Sequence, residues 1–458
     1  MHATTKLRSP LIAACALATL AATATATAAP NGRTGPSSSD SPYLVRHSPG
    51  VNFTSILSAG DDVGGYRMAG TPDGLGAFDN GDGTYTVLMN HEFGPTSGRV
   101  HAHGATGAFV SRYVIDKGSQ RVLSGRDQIQ RLVTTGSQNI SRLCSADLPA
   151  ASAFYNPATG NGYDGRIFMN GEENAPLGRA FGNVVETGTT YELPALGKAG
   201  WENIAANPFT GDKTVVVGQS DGGTQNVYVY AGTKQKTGNE VDKAGLTNGT
   251  TQSITIASLP VEDGATPVPD GPLAFTLSSN GTKFDRPEDG AWDPTDPNVY
   301  YFATTAAFSE HSRIWKATFT DSASPALGGT IERVLEGPSE ATTGPHMMDN
   351  LTVNDRGQLI IQEDVGNNPY LGGVYQFDPA SRALRRIAQH DPDRFLPGGT
   401  TFDTTDEESS GVIPVPFLGE GKYLLDDQNH RPSPDPEIVE KGQLLLMSIP
   451  PGQPLTKN

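Results

Sequence analysis

Residues 80–92 read NGDGTYTVLMNHE, and this segment indicates the fold. The first four residues, at 80–83, form a polar turn of the residue types that tolerate tight backbone bends. A short strand of β-branched and apolar residues follows at Thr84–Met89, and the segment ends on Asn90-His91-Glu92. The sequence therefore predicts a strand that starts at a turn and carries polar side chains at its far end.

The same order of turn, strand and strand end recurs five more times, and four of these five units also end on acidic or amide residues. The predicted strands of these units are Arg166–Met169, Thr214–Val217, Val299–Phe302, Gln358–Ile361 and Lys422–Leu425. Six units of this kind predict an all-β fold, a six-bladed β-propeller with insertions, because radial packing hides the edges of short sheets. Equivalent strand ends then meet at one axis, where we expect a single central site.

The composition narrows the classes of partner. The chain of 458 residues has 50 Asp and Glu against 33 Lys and Arg, a formal net charge of −17. Such a surface repels nucleic acid and anionic lipid, so we expect neither nucleic acid nor a membrane as a partner. Excess carboxylate suits calcium, which is bound by several oxygen ligands, and on composition alone it equally fits a charge that keeps a secreted protein soluble.

The N-terminal residues have the features of a secretory signal peptide. Lys6 and Arg8 precede an apolar run at residues 11–20, and small residues lead to Ala28. We predict a signal peptide at residues 1–28, a disordered leader at residues 29–45, which are rich in Ser, Pro and Gly, and one propeller domain at residues 46–450. Because Arg8 stands alone, we expect export by the general route to the outside of the cell.

Two features could carry chemistry. Removal of the signal peptide leaves Cys144 as the last cysteine, which is either a small buried apolar residue or a metal ligand. The motif Arg286-Pro287-Glu288-Asp289 is the most specific in the chain, and on a strand Arg286 and Glu288 project to the same side. An arginine fork beside a metal-binding carboxylate is what phosphoryl hydrolysis needs, although a structural ion pair has the same residues.

Taken together, these segments resemble the PhoX family of secreted alkaline phosphatases. The resemblance covers most of the chain from about residue 45, and it rests on the order of its segments. These segments are Asn90–Glu92, Gly107–Tyr113, Cys144 ahead of Glu172-Glu173, Trp201–Asn203, Phe284–Asp289, Asp349–Leu351 and Glu363-Asp364. The resemblance implies a six-bladed propeller whose axial site holds calcium and iron and binds phosphate through an arginine.

Transferred residue by residue, the resemblance implies that Arg286 is the catalytic, phosphate-binding residue. The implied metal ligands are Glu92, Cys144, Glu172, Glu202, Glu288, Asp349 and Asp364. Cys144 would be the iron-ligating thiolate, but metals acquired outside the cell favour calcium over iron. The predicted function is a secreted, monomeric phosphomonoesterase that acts on small phosphorylated substrates.

Two other functions stay open at this point. A phytase-like or lactonase-like calcium propeller hydrolase would need calcium without iron, and it would be indifferent to Cys144→Ser. A noncatalytic, calcium-stabilised extracellular binding protein would show a calcium-dependent melting temperature without turnover of any phosphoester.

Overall fold

The computed structural model describes residues 32–340, 344–368, 370–452 and 455. Strands dominate this part of the chain, and its two α-helices, α1 (Glu240–Lys243) and α2 (Pro392–Phe395), are single turns. No helix within these ranges is long and apolar enough to cross a membrane. The predicted signal peptide at residues 1–28 and the first residues of the predicted leader, 29–31, lie outside the described residues.

The strands are numbered in chain order, and four short 3-10 helices separate some of them. The strands are β1 (Gly32–Thr34), β2 (Leu44–Arg46), β3 (Asn52–Ser58), β4 (Asp62–Val63), β5 (Tyr66–Arg67), β6 (Pro72–Asp79), β7 (Thr84–His91), β8 (Phe109–Asp116), β9 (Val122–Asp127), β10 (Arg131–Val133), β11 (Leu143–Asp147), β12 (Tyr155–Asn156), β13 (Asn161–Gly162), β14 (Ile167–Val184), β15 (Thr189–Glu192), β16 (Lys198–Ala206), β17 (Lys213–Ser220), β18 (Val227–Thr233), β19 (Thr250–Thr255), β20 (Leu273–Ser278), β21 (Pro287–Trp292), β22 (Val299–Thr304), β23 (Arg313–Phe319), β24 (Gly329–Glu336), β25 (Met348–Val353), β26 (Leu359–Glu363), β27 (Gly373–Asp378), β28 (Ala383–His390), β29 (Glu407–Pro414), β30 (Lys422–Pro432) and β31 (Glu440–Ser448). The 3-10 helices are Ala151–Ala153, Pro194–Leu196, Pro325–Leu327 and Pro416–Leu418.

Strand pairing sorts most of these strands into groups of four, which we call blades I to VI. Blade I is β6–β9, blade II is β11, β14, β15 and β10, blade III is β16–β19, blade IV is β21–β24, blade V is β25–β28, and blade VI is β29–β31 with β3. In blade VI, the early strand β3 pairs antiparallel with the late strand β31. The two ends of the chain therefore close the ring together.

The first strands of the blades surround a central axis. β6, β11, β16, β21, β25 and β29 each contact the next, and β29 contacts β6 again. This closed ring confirms the predicted all-β propeller, and the strands form six groups, the number that the sequence pattern predicts. Each of the six predicted strands overlaps the second strand of one blade, which is β7, β14, β17, β22, β26 or β30.

One cluster of buried apolar side chains fills each interface between neighbouring blades. β22 shows how a strand serves two interfaces: Tyr300 and Phe302 pack against blade III, whereas Tyr301 and Ala303 pack against blade V. Alternate residues of a strand point to opposite faces, so a strand between two blades is apolar throughout. Burial of one such large side chain stabilises the fold by roughly 1.5–3 kcal/mol, so the blade interfaces hold the fold together.

The prediction of a disordered leader at residues 29–45 is wrong from Gly32 onward. β1 pairs in parallel with β3, and β2 pairs with β28 of blade V. Tyr43 and Leu44 are buried, and the backbone N–H of Tyr43 donates to Oε1 of Gln443 at 2.9 Å. A composition rich in Ser, Pro and Gly excludes a helix, but it does not exclude an extended segment that pairs along existing strands.

Candidate metal centre

The first strands carry acidic or thiol side chains where they begin. Asp73, Cys144, Glu288, Asp349 and Glu408 are the second residues of β6, β11, β21, β25 and β29, and Glu202 lies within β16. Because these strands surround the axis, their side chains converge at one end of it.

The second strands bring further carboxylates to the same level. Residues that pair across the first two strands of a blade are Pro72 with His91, Leu143 with Glu172, Trp201 with Ser220, and Met348 with Glu363. The residue that follows each second-strand partner is Glu92, Glu173, Asp221 or Asp364; Glu173 lies within β14, and the other three directly follow the ends of their strands. Four blades therefore each contribute two ligand-type side chains.

Together these side chains line one small cavity of ≈ 50 Å³. Its lining is Asp73, Glu92, Arg142, Cys144, Glu173, Glu202, Asp221, Arg286, Glu288, Asp349, Asp364 and Glu408. Nine carboxyl groups and one thiol thus face two arginines. A cavity of this size holds a few ions or water-sized groups, and it does not enclose a large organic ligand.

Four of the first strands are preceded by a residue with a left-handed backbone. Thr71, Arg142, Arg286 and Met347 have φ values of 41°, 44°, 55° and 43°. This conformation costs roughly 1–2 kcal/mol for a residue with a side chain. Such strain is concentrated at functional sites, and here it recurs two residues before Asp73, Cys144, Glu288 and Asp349.

The ligand atoms of the cavity form three overlapping sets, and the atoms of each set lie within 4.8 Å of one another. The sets are Asp73, Glu92 and Cys144; Cys144, Glu173 and Glu202; and Glu202, Glu288 and Asp349. Cys144 and Glu202 each belong to two sets, so the three sets form a continuous row. Carboxylate oxygens suit calcium, and a thiolate in the row suits a softer metal such as iron.

Burial and mutual repulsion raise the pKa values of these carboxyl groups. The pKa of Glu202 is well above its usual value because the group is buried and lies near Glu173. Burial is also the main cause that raises the pKa values of Glu288 and Asp349. The negative charge of Asp221 adds to the shift of Glu288, and that of Glu202 adds to the shift of Asp349. Burial and a neighbouring acid also raise the pKa of Glu173 to about 7. Bound cations would relieve this repulsion, so the donor set fits one or more metal ions.

Cys144 is buried, and its Sγ lies 3.1 Å from Oε2 of Glu173. Burial, with Glu202 and Glu92, raises the pKa of this thiol well above its usual value. A cysteine in this environment becomes a thiolate only when a cation binds it. Carboxylates surround Cys144, so its thiol is one of the candidate ligand groups of the cavity.

Arg286 lies against two acids of the cavity. Its Nη2 lies 3.2 Å from Oδ2 of Asp221 and 3.0 Å from Oε1 of Glu288. The prediction that Arg286 and Glu288 project to the same side is therefore confirmed. The charges of Glu288 and Asp221 hold the pKa of Arg286 above its usual value, although burial lowers it.

Polar side chains behind the cavity lining hydrogen-bond to its carboxylates and hold them in place. Ser145 donates its hydroxyl to Oε1 of Glu202 at 2.9 Å, and Nδ2 of Asn350 donates to the same hydroxyl at 2.7 Å. On the other side, Nε2 of Gln428 lies 3.2 Å from Asp73 Oδ2. These second partners orient the ligand-type groups toward the cavity.

Most of the residues that the sequence indicated lie in this cavity. They are Glu92, Cys144, Glu202, Arg286, Glu288, Asp349 and Asp364. Their proposed roles in metal or phosphate binding stay predictions.

Glu172 does not belong to this set, and its predicted place in the site is wrong. It pairs with Leu143 across the sheet, and its Oε1 lies 2.6 Å from Nη2 of Arg179 and accepts from the N–H of Ser141 at 2.9 Å. Neighbouring residues of a strand point to opposite faces, so Glu173 faces the cavity instead.

Five residues of the cavity were not predicted from the sequence: Asp73, Arg142, Glu173, Asp221 and Glu408. Glu173 and Asp221 belong to the acidic clusters at second-strand ends but were not predicted as ligands. Asp73 and Glu408 lie where first strands begin, which the pattern of second-strand ends does not cover. A signal was present there: an acid or cysteine is followed by a small or polar residue in Cys144-Ser145, Glu202-Asn203, Glu288-Asp289, Asp349-Asn350 and Glu408-Ser409.

No protein-family profile matches the chain, and no curated protein matches it. Among solved structures, that of Pseudomonas fluorescens PhoX in complex with vanadate, a transition state analogue, is similar with a TM-score of 0.58 and 14% identity, over 87% of this chain and 95% of that chain. Penicillium chrysogenum α-L-arabinanase complexed with arabinobiose has a TM-score of 0.43 and 8% identity, over 82% of this chain and 93% of that chain. At this level of identity the likeness to PhoX concerns the fold alone, and it agrees with the ring of blades described above.

Proposed function

We propose that this chain is a metal-dependent phosphomonoesterase whose active site is the axial cavity. The observation that carries the proposal is the position of Arg286, a partly exposed cation among nine carboxylates and a thiol. A purely structural calcium site has no need of an arginine beside its ligands. The similar fold of PhoX, which was solved with vanadate, supports the same function.

Arg286 is suited to hold a phosphoryl group. Asp221 and Glu288 fix the guanidinium, and its Nη1 has no hydrogen-bond partner among the described residues. The side chain is 36% exposed, so this free edge is open to a ligand. A planar fork that is fixed in advance binds a tetrahedral oxyanion without further loss of side-chain entropy.

The carboxylates would hold the metal ions. Glu202, Glu288 and Asp349 form an all-oxygen set for calcium, and Cys144 with Glu173 and Glu202 would suit iron as a second metal. When bound, the metal ions supply Lewis acidity that polarises a phosphoryl oxygen and offsets developing negative charge. Without cations, this cavity would repel a phosphate dianion.

The size of the cavity supports a monoester substrate. A cavity of ≈ 50 Å³ accepts the phosphoryl end of a molecule, while the rest of the substrate stays outside. We therefore propose small phosphorylated molecules as substrates. The signal peptide predicted at residues 1–28 supports an extracellular location, and we retain the proposal of a monomer.

The test is hydrolysis of p-nitrophenyl phosphate by the purified protein with calcium and iron supplied. Arg286→Ala is expected to lower kcat/KM by roughly 100-fold or more, as for loss of one preorganised charge donor at a transition state. A chelator is expected to abolish activity, and calcium to restore it. Arg67→Ala is the matched control, because Arg67 is 39% exposed and pairs with Asp435 away from the cavity.

Inactive wild-type protein with both metals bound would contradict the proposal. If calcium then still raised the melting temperature, the noncatalytic binding protein would be the better account. Activity that needs calcium, contains no iron and is indifferent to Cys144→Ser would favour a calcium-only propeller hydrolase.

A further inference from the structure

Arg142 is the second arginine of the axial cavity, and the sequence did not indicate it. Its side chain is 50% exposed, which makes it the more accessible of the two arginines. The residues around it are almost all acids, so its charge is a marked exception in the cavity lining.

Arg142 and Arg286 occupy equivalent positions in their blades. Each directly precedes a first strand, each has a left-handed backbone, and each lies two residues before a ligand-type residue, Cys144 or Glu288. Their blades, II and IV, lie on either side of blade III, which contributes Glu202 to the cavity. The two arginines thus come from the two blades that neighbour the one carrying Glu202.

The two guanidinium groups are also fixed in the same way. Nε of Arg142 donates to Oε1 of Glu92 at 2.7 Å, and Nη2 pairs with Oε2 of Glu173. Nη1 of Arg142 has no hydrogen-bond partner within the part of the chain that the structure describes, as for Nη1 of Arg286. Each arginine is therefore held by two acids and keeps one N–H edge available.

We propose that Arg142 is a second phosphate-binding residue, which grips the same phosphoryl group as Arg286 from the opposite side of blade III. This inference rests on the proposed function, since it assigns the anion that the cavity binds. Cations beside the phosphate offset the repulsion between a phosphate dianion and the surrounding carboxylates, and both arginines line the same cavity. The other role for Arg142 is that of a counter-ion that only holds Glu92 and Glu173 in place.

The experiment measures binding of inorganic phosphate to the calcium-loaded full chain by calorimetry, with bound calcium determined in parallel. Arg142→Met is the main variant, because the chain itself has Met347 at the equivalent left-handed position. Arg142→Thr is the second variant in case the first does not fold, since Thr71 occupies the same position in blade I. Arg286→Met is the reference, and Arg67→Met is the control.

We expect Arg142→Met to bind phosphate at least tenfold more weakly than wild type, to a degree similar to Arg286→Met, with unchanged bound calcium. Wild-type phosphate affinity in Arg142→Met would overturn the inference. Loss of calcium together with phosphate would also overturn it, because Arg142 would then act only by holding Glu92 and Glu173.

Turnover of p-nitrophenyl phosphate by the same proteins separates this inference from the proposed function. If wild type hydrolyses the ester and Arg142→Met is equally active and binds phosphate equally well, only this inference fails. If phosphate binding depends on both arginines but no protein hydrolyses the ester, the inference stands and the proposed function fails.

Discussion

Glu172 and Glu173 are neighbours on β14, yet their side chains have opposite environments. Glu172 is buried against Arg179, which is itself almost fully buried, and this pair holds β14 to the loop that contains Ser141. Glu173 faces the axial cavity beside Cys144 and Arg142. The alternation of the strand therefore separates a structural ion pair from a side chain of the candidate metal centre within two residues.

Substitution of these two neighbours should separate stability from metal binding. Glu172→Gln leaves the Arg179 guanidinium buried without its charge partner, and we expect a loss of about 3 kcal/mol in the free energy of unfolding with bound metal retained. Glu173→Gln is expected to lower metal occupancy with little change in the stability of the metal-free protein. Urea denaturation and elemental analysis of both variants check this, and the reverse pattern would contradict the assigned register.

His390 is a buried histidine whose charge should make stability depend on pH. Its Nδ1 donates to the carbonyl of Gly372 at 2.9 Å, and its Nε2 lies 3.0 Å from Oδ2 of Asp427. Burial lowers the pKa of His390, but the charges of Asp427 and Glu407 outweigh burial and raise it from 6.5 to about 9.

The charged His390 therefore stabilises the fold fully below pH 6.5, and this contribution disappears as the pH rises through about 9. We expect wild type to exceed His390→Gln in the free energy of unfolding by about 3 kcal/mol more at pH 6 than at pH 10, at 1.36 kcal/mol per unit of pKa shift. Denaturation curves at several pH values measure the difference. A difference that does not change with pH would show that His390 is neutral in the fold.

At the scale of single residues, the sequence indicated the site wherever a motif was local. Arg286 and Glu288 share one tetrapeptide, so their proximity is local, although Arg286 directly precedes β21 with a left-handed backbone and is not part of the strand. Asp73 and Glu408 could not be assigned in this way, because their place depends on which strands of distant blades become neighbours. Glu172 was preferred over Glu173 because two adjacent acids give no indication of which one faces the axis.

At the scale of elements, the second strand of each blade was the easiest to predict. A tight polar turn precedes this strand, and both of its faces are buried. Its sequence is therefore a short apolar run between turn residues. First strands such as β11 and β21 lack this contrast, since they alternate acids, small residues and apolar residues along the cavity. A first strand is recognised by its contacts with the first strands of neighbouring blades, and its own composition does not reveal it.

The N-terminal segment that contains β1 and β2 should contribute to stability. We compare a variant that begins at residue 32 with one that begins at residue 47, which lacks both strands. Tyr43 and Leu44 are buried, so the shorter variant is expected to lose about 3 kcal/mol of unfolding free energy, at roughly 1.5–3 kcal/mol for each large side chain. Equal melting temperatures for the two variants would show that residues 32–46 do not stabilise the ring.

At the scale of the whole molecule, the propeller concentrates acidic groups that would repel one another. The first strands of all six blades bring acids or a thiol to one end of the axis, and burial together with the neighbouring acids raises the pKa values of Glu202, Glu288 and Asp349. A cation that binds only the folded ring stabilises it by mass action. The ring is therefore expected to be more stable with metal than without.

Calcium should raise the melting temperature of the metal-free protein. At a calcium concentration 100 times the Kd, one site contributes about 2.7 kcal/mol. Scanning calorimetry of the chelator-treated protein over a calcium series measures the shift. If the protein is free of other metals and its melting temperature does not depend on calcium, calcium does not stabilise the folded propeller.

We propose that the axial cavity, with its carboxylates and Cys144, is a metal centre. The most direct measurement is elemental analysis of the purified protein after saturation with calcium, for wild type and for Glu202→Gln, since Glu202 belongs to two of the three ligand sets. We expect at least one calcium ion per chain in wild type and a lower metal content in Glu202→Gln. Wild type that retains no metal, or a Glu202→Gln variant with the full wild-type content, would contradict it.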